Sequence, residues 1–222
     1  MKTPVRLLVL GVAIAVAAVA SAAAGHAEAS GGNALFVQTN DPSGNAIDAF
    51  QRNGDGTLTF LKSYPTGGLG GREAGAGSDP LASQGSLRQL PGGLLAGVNA
   101  GSDTISVFAV SGTDLQRTQV LGSGGPFPTG IAFHGNLVYV LDAGGAGFVS
   151  GYRIEGRALQ PIAGSTRSLG LANATPPFFL SSPAQVGFTP DGEHLVVTTK
   201  TNGTVDVFSV GADGTLSAAP VN

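Results

Sequence analysis

Three charged side chains of this 222-residue chain combine types that could move a proton and hold an anion. Arg72 and Glu73 are neighbours in the glycine-rich stretch "PTGGLGGREAGAGSDPLASQ" (65–84), with Asp79 shortly after them. Arg167 opens a second long polar stretch, "STRSLGLANATPPFFLSS" (165–182), which also carries the aromatic pair Phe178 and Phe179. A carboxylate can accept a proton, and a guanidinium can neutralise a resting or developing anion. An apolar pair beside a guanidinium can grip a small carboxylate, or simply cap the structure below it. Asp142, which ends the apolar run "LVYVLD", is a further ligand-binding candidate.

Other chemistries find less support. The chain has no cysteine, which removes thiol catalysis and disulfides. His134 in "HGN" and His194 in "PDGEH" sit in turn-like sequence, so they read as exposed turn residues rather than general bases. The aspartates of "NGDG" and "GADG" resemble fragments of calcium loops but lack the alternating acidic series that coordination needs. They read as turns, and no metal or cofactor is expected. The glycine-rich stretch is not a phosphate cradle, because no helical period follows it.

The elements that must position these groups are strands. After residue 30, short runs rich in Val, Ile, Phe and Thr alternate with Gly, Asn and Asp. Four runs superimpose: "LFVQTNDPSGNAIDAF", "LLAGVNAGSDTISVF", "LVYVLDAGGAGFVSGY" and "LVVTTKTNGTVDVF". Each is a strand ending on a polar residue (Asn40, Asn99, Asp142, Lys200), a loop, and a second strand reaching an aromatic (Phe50, Phe108, Tyr152, Phe208). A further strand follows each pair after a tight turn, and another stands between units as "QGSLRQL", "PTGIAFHG" and "PAQVGFTPDG". Four strands per unit, with the aromatics 58, 44 and 56 residues apart, predict an all-β chain of four-stranded antiparallel propeller blades. A β-sandwich explains the strands but not their repetition.

The segments "LLAGVNAGSDTISVFAV", "LVYVLDAGG" and "FTPDGEHLVVTTKTNGTVDVFSVGADGTL" resemble the seven-bladed propellers of the lactonase family, the 6-phosphogluconolactonase and carboxymuconate cyclase relatives. With strands lettered A to D from the axis outward, residues 30–64 form blade 1 without an inner strand, 84–121 blade 2, 128–163 blade 3 and 183–222 blade 4. That is about three and three-quarter blades. The expected ring is incomplete and the chain reads as an N-terminal portion of a longer protein, a four-bladed closure being the alternative. The resemblance implies hydrolysis or closure of a lactone of a small sugar acid or carboxylate, with Glu73 as base and Arg72 or Arg167 as oxyanion partner. The Pro-His pair that family members often carry at the start of strand A reads Pro128-Thr129 and Pro183-Ala184 here. A non-catalytic scaffold binding a ligand or protein is the competing reading.

Strand order also sorts the loops. The A–B and C–D turns are short, whereas the B–C and D–A connections leave on the opposite face and hold every long loop, so the candidate residues share one face. The first 29 residues carry Lys2 and Arg6, an apolar run from Leu7 and an "AEA" exit, the layout of a cleavable signal peptide. An uncleaved anchor is the rival. Cleavage leaves 9 basic and 13 acidic side chains of the original 11 and 14, because Lys2, Arg6 and Glu28 depart. The mature protein is then expected to be secreted or extracytoplasmic, without a membrane segment and without the basic surface that nucleic acid requires.

Overall fold

The computed structural model describes residues 33–222. The segment expected to be a signal peptide, residues 1–29, lies outside them. Among the described residues no helix is long and apolar enough to cross a membrane.

The described chain is all-β. Blade 1 is the sheet β1 (Ala34–Gln38), β2 (Ala46–Arg52) and β3 (Leu58–Pro65), antiparallel in that order. Blade 2 is β4 (Leu87–Leu90), β5 (Leu94–Asn99), β6 (Thr104–Ser111) and β7 (Asp114–Gly122), with one 3₁₀ turn at Ala100–Ser102. Blade 3 runs β8 (Pro128–His134), β9 (Leu137–Asp142), β10 (Phe148–Glu155) and β11 (Ala158–Pro161), and a short β12 (Arg167–Ser168) adds to the free end of β10. Blade 4 is β13 (Pro183–Phe188), β14 (His194–Thr199) and β15 (Val205–Ser209). The strand expected after "GADG" is reduced to two bridges, Val210 with Leu216 and Val207 with Val221.

The "DG" turns work through their aspartates. Asp55 Oδ1 accepts from the backbone N–H of Thr57 at 2.9 Å and from its hydroxyl at 2.7 Å, and Asp213 treats Thr215 the same way at 3.0 and 2.8 Å. These bonds hold both carboxyls below their ordinary range. Gly56 at φ 86° and Gly214 at φ 81° supply the left-handed turn residue.

Each blade has a back face toward the preceding blade and a front face toward the next. In β2, β6, β10 and β15 the back residue is the repeated aromatic, paired across the sheet as Leu35–Phe50, Leu95–Phe108, Val138–Tyr152 and Leu195–Phe208. Three hydrophobic clusters are the three blade junctions. Ile47 and Ala49 of blade 1 meet Leu95 and Phe108; Val98, Ile105 and Val107 meet Val138 and Tyr152; Tyr139 and Leu141 meet Leu195 and Phe208. Burial from both sides explains why β5 and β9 are apolar and buried at every position, or nearly so, instead of alternating.

That register corrects the repeat alignment by one residue in two blades. Four positions past each back-face partner come Thr39, Asn99, Asp142 and Thr199, so Asn40 and Lys200 lie one step beyond. A four-bladed closure is also corrected. Leu35 and Val37 on the back of blade 1 are 40% and 45% exposed, and Val205 on the front of blade 4 is 52% exposed, so neither face covers the other.

Candidate functional site

The two long loops meet. Residues 65–86 join blades 1 and 2 and residues 162–182 join blades 3 and 4, yet Ala74 N–H donates to the Pro177 carbonyl at 2.8 Å and Phe179 N–H to the Ala74 carbonyl at 3.0 Å. This is a parallel bridge between Ala74 and Phe178. Gly75 makes the approach possible: its φ is +76°, and a Cβ there would lie 2.6 Å from the Phe178 ring. Arg72, Glu73, Phe178 and Phe179 are thereby gathered on the long-loop face.

Glu73 is the chemical centre of the junction. Its side chain has 0% exposure, and neither carboxylate oxygen has a hydrogen-bond partner among the described residues. The backbone fixes it, since Glu73 N–H donates to the Pro80 carbonyl and Ala76 N–H to the Glu73 carbonyl. The neighbouring Ser182 hydroxyl is directed to the Phe178 carbonyl at 3.2 Å. Burial pushes the Glu73 pKa up to about 7, against the opposing pull of Ser182 and the positive charge of Lys200. A carboxyl in this range exchanges a proton near neutral pH.

Lys200, one residue past β14, supplies the cation. Its own pKa is lowered by burial, with Glu73 and Asp79 acting in the opposite direction. Its Nζ lies 5.5 Å from the Phe179 ring centroid, and Phe179 packs edge-on against Phe178 at 5.9 Å. Gly77, Ser78, Asp79, Ala82, Phe179 and Lys200 line an open cleft of about 500 Å³. A second cleft shares Asp79 and Ala82 and continues along Ser83 and Gln84 to Ala184 and Gln185 of the inner strand β13.

The predicted oxyanion partners are placed differently. Arg72 is exposed and donates to the carbonyls of Ala76 and Gly77, bracing its own loop. Arg167 donates to the carbonyls of Gly164, Thr166, Ser217 and Leu216, and so ties β12 to the last segment of blade 4. There it clamps blade 3 to blade 4, with its guanidinium turned to backbone carbonyls. Lys200 was legible as a residue on this face but carried no motif.

Asp142 stands apart. It is buried at the end of β9 with both oxygens unpartnered among the described residues. Burial raises its pKa well above the ordinary value; the nearby Ser123 hydroxyl lowers it and Asp103 raises it further. Ser123 Oγ also lies 2.8 Å from the Gly125 carbonyl and 3.1 Å from that of Asp103. Asp142 lies between blades 2 and 3 and does not line either cleft.

His134 is exposed at the end of β8, with Gly192 of the next blade's turn packed against its ring. Asp191, Glu193 and His194 offer ligand atoms within 4.8 Å of one another. Asp191, however, accepts from Thr189 Oγ1 at 2.6 Å and Glu193 N–H at 3.0 Å, which makes it a turn residue like Asp55.

No protein-family model matches the chain, and no curated protein matches it. Solved structures do. A functionally unknown protein from Desulfotomaculum acetoxidans is similar at 15% identity and TM-score 0.57, over 84% of this chain and 57% of that one. A Lactobacillus plantarum protein is similar at 21% identity and TM-score 0.55, over 80% and 50%. A protein proposed to be a 6-phosphogluconolactonase, from Bacteroides fragilis, is similar at 15% identity and TM-score 0.52, over 85% and 54%. The chain thus spans little more than half the length of these proteins. The likeness and the stacked antiparallel sheets of three to five strands define the class as a β-propeller, the architecture of that similar structure.

Proposed function

We propose that this chain is an exported, lactonase-like propeller that hydrolyses a lactone of a small sugar acid or carboxylate on its long-loop face. The observation that carries the reading is Glu73: a buried carboxyl without a partner, brought up to about 7 and feeling the positive charge of Lys200.

In this reading the Glu73 carboxylate takes a proton from water as the water oxygen bonds to the lactone carbonyl carbon. The carbonyl oxygen becomes an oxyanion beside the Lys200 ammonium. Collapse of that intermediate breaks the acyl–oxygen bond, Glu73 returns its proton to the ring oxygen, and the product is the open hydroxy acid. The 74–79 turn has to shift for the ligand to arrive, since the carboxylate is closed to solvent in the described conformation. Phe179 supplies an apolar wall.

That closure favours a second reading, a binding propeller in which Glu73 is a neutral structural acid and the cleft holds a ligand without turnover. Acid release from simple aldonolactones separates the two. Turnover by the wild type that falls about 100-fold or more in Glu73→Gln, with the variant folded, supports the enzyme. An unchanged rate in the variant rejects Glu73 as the base, and no turnover of any lactone leaves the binding propeller.

A further inference from the structure

Two successive blade junctions carry different side chains at their outer ends. Pro65 opposes Ala46 and Gly122 opposes Thr104, the residues four before Phe50 and Phe108, so Pro65 and Gly122 are counterparts. Arg117 and Pro161 are counterparts in the same way, opposite the repeated aromatics Phe108 and Tyr152. Between blades 1 and 2 these side chains fill the junction. Arg117 reaches back and donates from Nη1 to the Pro65 carbonyl at 2.9 Å, and a Cβ on Gly67 would lie 2.7 Å from that nitrogen. Between blades 2 and 3 the proline becomes Gly122 and the arginine becomes Pro161. The space left is a cleft of about 290 Å³. Small-molecule sites begin at roughly 300 Å³. The cleft shares no lining residue with the two beside Lys200 and Asp79.

The outer strand of blade 3 is broken at the same place. β11 stops at Pro161 and β12 resumes at Arg167, so Ser150 and Gly151 of β10 face a bend instead of a strand. Ser165 covers Gly151, accepting from its N–H at 3.0 Å and donating to its carbonyl at 3.2 Å. Ser150 Oγ and Thr166 Oγ1 lie 3.1 Å apart. Two hydroxyls sharing one hydrogen bond leave one hydroxyl hydrogen for a ligand. Tyr152 gives its hydroxyl hydrogen to the Gly122 carbonyl at 2.7 Å and keeps its oxygen as an acceptor. Ser150, Tyr152 and Ser165 are all buried, and Leu121 and Ile162 add an apolar wall. No charged side chain among the described residues lines the cleft.

We propose that this cleft binds a neutral monosaccharide. Hydroxyls that both donate and accept match those of a sugar, and the apolar wall suits the C–H face of a pyranose ring. A charged ligand would lose its hydration there without meeting an opposite charge. The inference does not depend on the chemistry assigned to Glu73.

Amide NMR spectra of the whole protein test it, with the methyl glycosides of glucose, galactose and mannose each titrated to about 50 mM, enough to read millimolar dissociation constants. At least one sugar should give saturable shifts centred on Gly122, Gly151 and Thr166. Gly122→Val should keep the fold, because its backbone is not left-handed and a Cβ there meets nothing within 4 Å. The added side chain fills the cleft, so the dissociation constant should rise about 10-fold or more. Thr166→Val keeps the shape and removes an exposed hydroxyl, and should weaken binding about 3- to 10-fold. The absence of saturable shifts with all three sugars would overturn the proposal, as would shifts that survive unchanged in either variant. Methylguanidinium binding more tightly than the sugars would also overturn it, since the cleft would then be a cation site that repeats the Arg117 contact.

Discussion

Glu73 and Asp142 are both buried carboxyls without a hydrogen-bond partner among the described residues, yet they occupy opposite situations. Glu73 sits where two loops from distant blades cross, within reach of the Lys200 charge; Lys200 lines the neighbouring cleft, and Glu73 is closed off from it. Asp142 sits where two blades join, with another acid, Asp103, as its charged neighbour. Burial raises both pKa values, but only at Glu73 does an opposite charge work against it. The difference sets a carboxyl that feels a hydroxyl and a cation and is held to about 7 against one whose only charged neighbour is another acid.

The largest effect is expected at Asp142. Its folded pKa stands above its unfolded value, so the folded state keeps a proton that the unfolded chain releases. Stability therefore falls as pH rises from about 4 toward the folded pKa. Asp142→Asn removes that dependence. The amide also has a precedent, for Asn99 at the equivalent position donates to Ser106 Oγ at 2.8 Å, and the counterpart of Ser106 in blade 3 is Ser150. Denaturant melts at pH 8 should show the variant more stable than wild type by roughly 1–3 kcal/mol, with the difference shrinking toward pH 4. A destabilised variant at pH 8 would mean that Asp142 is charged and served by a partner.

Glu73→Gln should behave similarly but over a window fixed by its pKa of about 7. The native state binds the extra proton from about pH 4.5 to 7, so wild-type stability declines across that interval and levels off above it. The glutamine variant should lack the decline, which for a rise from 4.5 to about 7 amounts to at most about 3 kcal/mol between pH 4 and pH 8. Urea melts at half-unit pH steps read this directly. Equal slopes in wild type and variant would show that Glu73 is ionised throughout.

Strands, blade order and the face of each loop were legible because period-two hydrophobicity and turn residues are local signals. The repeat phase was legible only to within one residue. Matching the first apolar residue of each run placed Lys200 beside Asp142, whereas pairing with Phe208 sets Thr199 there. The contact between Ala74 and Phe178 had no local signature, since it depends on two loops that meet only after the blades stack. For the same reason the burial of Glu73 was not legible: its type is almost never fully buried without a partner. Arg167 misled differently. Its acceptors are backbone carbonyls, which every residue carries, so its role as a clamp leaves no pattern in side-chain types.

Lys200→Met probes the part of the comparison that rests on charge, and its effect is the smallest. Methionine keeps the length and apolar stem, so Phe179 stays covered, while the contribution of the cation over that ring, about 0.5–1 kcal/mol, is lost. Removing the ammonium takes away one of the influences that oppose burial at Glu73, the Ser182 hydroxyl being the other, so the pH at which stability levels off should move upward from its wild-type position near 7. If Glu73 is the base, the acid limb of the lactone rate profile should move the same way, since a carboxyl harder to ionise needs higher pH to act. Lys200→Arg keeps the charge and should leave both midpoints in place. A midpoint unmoved in Lys200→Met would show that the cation is screened from Glu73, and the two buried carboxyls would then differ only in location.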